Sequence, residues 1–439
     1  MLLPWQPMPT NRPCGRWRSD FAVADTQIQL KMPRKRNLSN EAVKIDRNHG
    51  RQLSGSNLQR AGDHNQRVTL HAIRVNGPVT RMALAEQTGL TPAAIANITS
   101  RLLRDRLILT AGRMHGARGQ PATKLVVNPD CCFSIGLNVD RDHITLVLID
   151  FAGSVHARST REIHFAQPAT VRAFYQRTVN QMLRRAGIAT SSIIGVGVAF
   201  PDDIARAHLP DQPGDYAAWA DVKVDELFRD VLGVPVFVEN DAAAAAIGEM
   251  QFGSGHRYSS FFYLLITAAL GGGLVVDGNY FRGAQGRSGE IGWLHDHNAA
   301  GENMQLQNIV SLSALYSRLA GGGYHVTSPR SLARLGAGAR AIIDRWIQES
   351  AEALIDSMVA INCLINPDAI LIGGRLPALL VDRLAAALNS RMADFASQLP
   401  AIAHVARAVT ADDAPAVGAA ILPFSHSLLP TRFALFKSA

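Results

Sequence analysis

Apolar residues along the chain follow three spacings in turn. Over residues 1–66 they show no period, and Gly/Ser/Asn-rich stretches such as Ser54-Gly55-Ser56-Asn57 predict disorder. From Arg67 the spacing becomes helical. Val68, Leu70, Ile73 and Val75 define a first helix, stopped by Asn76-Gly77-Pro78. Thr80 is placed to cap a second helix carrying Ala83, Leu84 and Ala85 and closed by Gly89. Thr91 caps a third, with Pro92 at the first helical position, where a missing N–H costs nothing.

The third helix has two distinct faces. Ile95, Ile98 and Leu102 share one and belong against the other two helices. Ala93, Ala94, Asn97, Arg101 and Arg104 share the other: small residues for close approach, then an amide and guanidinium groups that reach bases or phosphates. Leu107–Leu109 and Lys124–Val127 read as two strands flanking a glycine-rich basic tip with Arg118 and Gln120, able to press on a minor groove. This is the pattern of a winged helix-turn-helix over 67–128, with Thr91 at the start of its recognition helix.

From residue 133 strands and helices alternate. Ser134–Val139 and Ile144–Asp150 pair across a turn at Asp140 to His143, Val155–Phe165 adds a third strand, and a helix over Ala169–Arg185 precedes the strand Ile193–Ala199. Further strands are expected at Val234–Glu239, Phe261–Ile266, Gly273–Asp277 and Ala369–Ile372. Helices are expected from Asp241, over Ser311–Leu319 and over Ala337–Leu364. The order suits a two-lobed α/β body with a cleft between the lobes.

Charge sharpens the division. Residues 1–128 hold 20 Lys/Arg against 7 Asp/Glu, and residues 129–439 hold 24 against 29. A polycationic front on a mildly acidic body is expected when one module meets phosphates and the other does not; charge alone is equally satisfied by a solvated basic tail. No apolar run approaches the ~20 residues that cross a bilayer, and the proline- and arginine-bearing start is unlike a secretion signal. Cys14, Cys131, Cys132 and Cys363 show no CxxC spacing, so free thiols and a cytoplasmic location are expected. Met32, followed by Pro33-Arg34-Lys35-Arg36, is a second candidate start.

Three stretches then narrow the reading: Glu239-Asn240-Asp241 with the alanine run Ala242–Ala245, Leu270-Gly271-Gly272-Gly273, and Gly283 through Gly292. With these the sequence resembles the ROK family (repressors, uncharacterised frames, kinases). Arg67 to Pro129 resembles the winged-helix portion, and Ser134 to about Leu422 the sugar-kinase-like portion. The resemblance implies an actin-like, hexokinase-related (ribonuclease H-like) domain over 133–439, a sugar in the interlobe cleft, and a homodimer or homotetramer. It makes Asp241 the position of the kinase general base and Glu290 a sugar contact. Physically, a carboxylate at a strand end beside the amide Asn240 can also grip a pair of hydroxyls without chemistry, or simply cap a helix.

The departures from that pattern carry as much weight. Where the kinases have an Asp-x-Gly-Gly-Thr phosphate loop, this chain reads Asn138-Val139-Asp140-Arg141-Asp142. The new carboxylates are expected to repel a triphosphate. A second phosphate loop reads Thr267-Ala268-Ala269; Gly373-Gly374 fits the family's nucleotide-side turn, and a glycine pair closing a strand is explained equally well by an ordinary turn. A family zinc histidine becomes Trp293 and the accompanying cysteines are absent; His295 and His297 make a weak zinc signal. Gln307 stands where a family glutamate meets sugar. These readings lead to a regulator without enzyme activity, metal or cofactor, binding a double-stranded operator and a sugar effector in a cleft with Asn240, Asp241, Glu290, Trp293 and Gln307. The alternative is a sugar kinase with an appended DNA-binding head.

Overall fold

The computed structural model describes residues 58–114, 122–202, 204, 214–296, 304–332, 334–410 and 413–430. The front contains α1 (Leu58–Asn76), β1 (Val79–Thr80), α2 (Arg81–Thr88), α3 (Pro92–Arg104), β2 (Ile108–Met114) and β3 (Ala122–Val127), with the strands in the order β1-β3-β2. The predicted caps form: Thr80 Oγ1 accepts from Ala83 N at 3.3 Å and Thr91 Oγ1 from Ala94 N at 3.2 Å. Gly89 closes α2 in the left-handed conformation at φ 68°, where a side chain would be strained. Leu70, Ile73, Leu84, Ile95, Ile98, Leu102, Ile108 and Leu125 form the core between helices and sheet. Helix α1 begins at Leu58, nine residues before the apolar period starts, so part of the segment read as disordered is helical.

The first lobe consists of β4 (Phe133–Val139), β5 (His143–Asp150), β6 (Val155–Glu162), α4 (Pro168–Ala186), β7 (Ile193–Ala199), α5 (Val224–Leu232) and β8 (Val236–Glu239). Helix α6 (Asp241–Phe252) leads into the second lobe. There follow β9 (Phe261–Ile266), β10 (Leu270–Val276), β11 (Asn279–Tyr280), the small hairpin of β12 (His295–Asp296) and β13 (Met304–Gln305), α7 (Leu312–Gly321), α8 (Pro329–Leu332), α9 (Ala337–Leu364), β14 (Ala369–Gly374), α10 (Ala378–Ala393) and β15 (His404–Arg407). Helix α11 (Ala414–Ser427) returns to the first lobe. The sheets run β6-β5-β4-β7-β8 and β11-β10-β9-β14-β15, so each lobe has the order 3-2-1-4-5, antiparallel on one side and parallel on the other. The repeat gives the mixed α/β, two-lobed body expected from the sequence.

Helices α6 and α11 pack against each other between the sheets, and small residues let them do so. A Cβ at Gly418 would lie 1.6 Å from the Ala244 carbonyl oxygen, and one at Gly197 would lie 1.7 Å from that of Ala419. The near-continuous alanine of α6 therefore serves close approach. The front docks on the far ends of the same two helices. Leu70 and Ile73 share an apolar cluster with Ile247, Phe424 and Leu428. Arg74 hydrogen-bonds the Gln251 side chain and lies 5.1 Å from the Phe252 ring centroid, while Arg67 Nη1 donates to the carbonyls of His426 (3.1 Å) and Leu429 (3.2 Å). Burial lowers Arg74 to about 10, so this cation is held in a desolvated seam. Among the described residues no helix is long and apolar enough to cross a membrane. Among the described residues Cys131, Cys132 and Cys363 form no disulfide, and Cys14 lies outside the described residues.

Candidate functional site

Between the lobes opens a cleft of about 610 Å³, and all five expected effector residues line it: Asn240, Asp241, Glu290, Trp293 and Gln307. Strand β8 and helix α6 meet at its floor. Asn240, rather than Asp241, is the cap of α6: its Oδ1 accepts from Ala242 N (2.9 Å) and Ala243 N (3.1 Å). That leaves its Nδ2 to donate to a ligand and frees Asp241, the first helical residue, to face the cleft. Burial first, then the Asp140 carboxylate, pushes Asp241 up to about 7, against the opposing pull of Arg141 and the Ala242 amide. The far wall carries Glu290, whose Oε1 accepts from Arg287 Nε at 2.7 Å, and Gln307, buried and donating from Nε2 to Gln305 Oε1 at 2.7 Å. Trp293, 40 % exposed, lines the cleft at its rim.

Sequence reasoning did not single out two further groups. Asp202, after β7, lies 3.7 Å from Arg287 Nε and brings a first-lobe carboxylate to a second-lobe guanidinium. Arg282 pairs in the same direction with the buried Glu239. The one available signal was local: Arg287 stands three residues before Glu290 inside a recognised motif.

The other half of the cleft departs from expectation. Asp140, Arg141, Asp142 and His143 are all buried, so Asp140 and Asp142 do not face solvent as free charges. Arg375, just after Gly373-Gly374, reaches across from the second lobe. Its Nη1 donates to Asp142 Oδ2 at 2.8 Å and its Nη2 to Glu162. His143 Nδ1 lies 2.6 Å from the other Asp142 oxygen, and its Nε2 lies 3.0 Å from Asn138 Nδ2. Burial alone would raise Asp142; His143 and Arg375 instead hold it down to about 2. The expected repulsion of a triphosphate is thus replaced by an interlobe ion network. Among the described residues, Asp140, Asp142 and His143 are the three whose ligand atoms approach as a metal site requires. Asp142 already satisfies both oxygens within the protein, which disfavours a metal. His295 is exposed in β12, and His297 lies outside the described residues.

On the front, α3 presents Thr91, Ala93, Asn97, Arg101 and Arg104 exposed and Ala94 half-buried, opposite buried Ile95, Ile98 and Leu102. Strands β2 and β3 pair antiparallel beside it. Arg118 and Gln120, expected at the tip between them, lie outside the described residues.

Comparison with known proteins defines the class. The ROK family profile matches residues 134–425, and the chain belongs to that family. Within it, the chain is 30 % identical over 362 residues to the uncharacterized protein y4fQ of Sinorhizobium fredii, covering 82 % of this chain and 90 % of that one. It is 27 % identical over 229 residues to the xylose repressor of Bacillus spizizenii, covering 52 % of this chain and 59 % of the repressor. A crystal structure of a ROK family transcriptional regulator, homolog of the E. coli MLC protein, superposes with a TM-score of 0.63 at 21 % identity, covering 83 % of this chain and 96 % of that chain. That likeness establishes the shared fold.

Proposed function

We propose that the protein is a sugar-responsive transcriptional repressor, with residues 67–128 a winged helix-turn-helix that reads a double-stranded operator and residues 133–439 the effector-sensing body. The observation that carries this reading is the course of α6. One end supplies Asn240 and Asp241 to the cleft, and the other supplies Gln251 and Phe252 to Arg74 of the head. A sugar that draws the lobes together moves a helix on which the head is seated. Binding free energy in the cleft then biases the head's position, provided the sugar prefers one arrangement. In a homodimer or homotetramer such a bias changes the spacing of two recognition helices, which must match half-sites about one DNA turn apart. The relatives named as xylose repressors support the direction of control. The absence of a disulfide and of a membrane-crossing helix among the described residues fits a cytoplasmic site of action.

The rival reading is an ATP-dependent sugar kinase with an appended head, favoured by the Asp241 carboxylate at the general-base position. The Arg375 network opposes it, since a guanidinium and two carboxylates stand where phosphates would have to enter. Footprinting on DNA upstream of the protein's own gene, over a salt series, separates the two. The repressor reading predicts salt-sensitive, sequence-preferring protection and no ATP-dependent transfer to any sugar. Absence of protection there and at genomic fragments, or transfer abolished by Asp241→Ala, contradicts it.

A further inference from the structure

We infer that the effector is a free, uncharged sugar, and that the cleft rejects the phosphorylated and acidic forms of the same sugar. This rests on the sugar-sensing reading above and concerns the charge of the ligand. Among the described residues, the charged groups lining the cleft are Arg141 and Arg287 against Asp202, Asp241 and Glu290. Asp140 stands directly behind, buried, with its Oδ1 3.8 Å from Arg141 and its Oδ2 without a hydrogen-bond partner. With Asp140 included, carboxyl groups outnumber guanidiniums four to two around the ligand, Asp241, raised to about 7, carrying part of its charge at neutral pH.

Both guanidiniums already stand beside carboxylates: Arg287 is shared between Glu290 and Asp202, one on each lobe, and Arg141 faces Asp140. A phosphate would have to compete with a carboxylate for either of them and then sit beside it.

The other usual anion cradle is also closed. The N-terminus of a helix binds anions through its unsatisfied first amides. In α6 those of Ala242 and Ala243 are taken by the Asn240 side chain, and that of Ala244 by the Asn240 carbonyl. Beyond Asp140 the former nucleotide side is filled by Arg375, Asp142 and Glu162. The polar groups left facing the cleft include carboxylate acceptors for hydroxyl donors and the Asn240 amide as a donor, with the Trp293 indole for the C–H face of a ring. That set suits an uncharged polyol.

The test is a thermal-shift and calorimetric comparison of matched ligands on the full chain. The sets are glucose, glucose 6-phosphate and glucuronate; N-acetylglucosamine and its 6-phosphate; galactose and galactose 1-phosphate; and xylose and xylonate. The neutral member of at least one set is expected to stabilise the protein, with its charged counterparts binding at least tenfold more weakly. Asp202→Asn, which removes one facing carboxylate, is expected to narrow that gap by on the order of tenfold. A phosphate or acid that binds as tightly as its neutral partner, or alone, overturns the charge argument while leaving the sugar-sensing reading standing. No shift with any member of any set overturns both. An Asp202→Asn variant that binds the neutral sugar with an unchanged preference shows that the carboxylates do not set the selectivity.

Discussion

Replacing Arg375 by methionine removes the cation that joins the lobes in the half of the cleft away from the effector residues. Arg375 contacts two carboxylates of unequal weight. Glu162 is 42 % exposed, and an exposed pair contributes less than ~1 kcal/mol. Asp142 is 10 % exposed, and its descent from 3.8 to about 2 is a net of roughly 2–3 kcal/mol that remains after His143 and Arg375 have overcome the opposing effect of burial. Breaking a buried pair from one side typically costs about 3–5 kcal/mol. Because His143 remains against Asp142, a loss of about 2–3 kcal/mol is expected for Arg375→Met at pH 7. Urea denaturation followed by tryptophan fluorescence measures it.

The pH dependence carries a sign. Asp142 is depressed in the folded protein, so its contribution is complete above about pH 4 and lost as the pH falls toward 2. The gap between wild type and variant should shrink as the pH falls below 4. Adding Asp142→Asn should restore much of the loss, since no uncompensated charge then remains. A single variant within ~0.5 kcal/mol of wild type at pH 7, or a double variant no better than the single, would refute the reasoning.

Asp241→Asn removes a carboxyl that burial and Asp140 raise to about 7, with Arg141 and Asp202 also facing it. A raised acid holds stability that is present below pH 4 and lost as the pH climbs through 7. The asparagine variant should therefore be more stable than wild type above pH 7, by about 1–2 kcal/mol, while binding effector at least tenfold more weakly; equal melting at pH 8 would count against the assigned titration. Arg74→Ala should leave calorimetric effector affinity intact but reduce the effector's influence on DNA affinity, read by anisotropy at saturating and zero sugar; an undiminished influence would place the coupling elsewhere. Arg101→Ala should cost about 1–3 kcal/mol at one operator position and relax specificity there, whereas Arg118→Ala should weaken all sequences alike and reduce the salt slope by about one. The reverse pattern in a binding-site selection would exchange their roles.

Much of this architecture is legible in the residues because it rests on local chemistry. Thr80, Thr91 and Gly89 mark helix ends by the hydrogen bonds they make, Ile193–Ala199 and Phe261–Ile266 are readable from their apolar runs, and the long amphipathic helix Ala337–Leu364 lies where it is expected. Helix α11 was not read. It is buried on nearly every side and carries Pro415 and Pro423, so no 3.6-residue period shows. Strands β8 and β10 start elsewhere than read, because Pro235 and the glycines of Leu270–Gly273 blur the edge.

At the site, Asn240, Asp241, Glu290, Trp293 and Gln307 converge because motif register carries them there. The division of labour between Asn240 as cap and Asp241 as cleft acid depends on backbone geometry that either residue type could satisfy. The contacts that change the reading most, Arg375 with Asp142 and Arg74 with Gln251, join positions 233 and 177 residues apart. No local pattern encodes such pairings.

The most direct test of a sugar-controlled DNA-binding protein is fluorescence anisotropy of the footprinted upstream fragment, titrated with protein in the presence and absence of the sugar found by thermal shift. The account predicts salt-dependent, sequence-preferring binding that weakens at least fivefold when sugar is added, and an Asn240→Ala/Asp241→Ala variant that binds the same DNA but ignores the sugar. Binding that is indifferent to sugar in the wild type, or equally responsive in the variant, would contradict it.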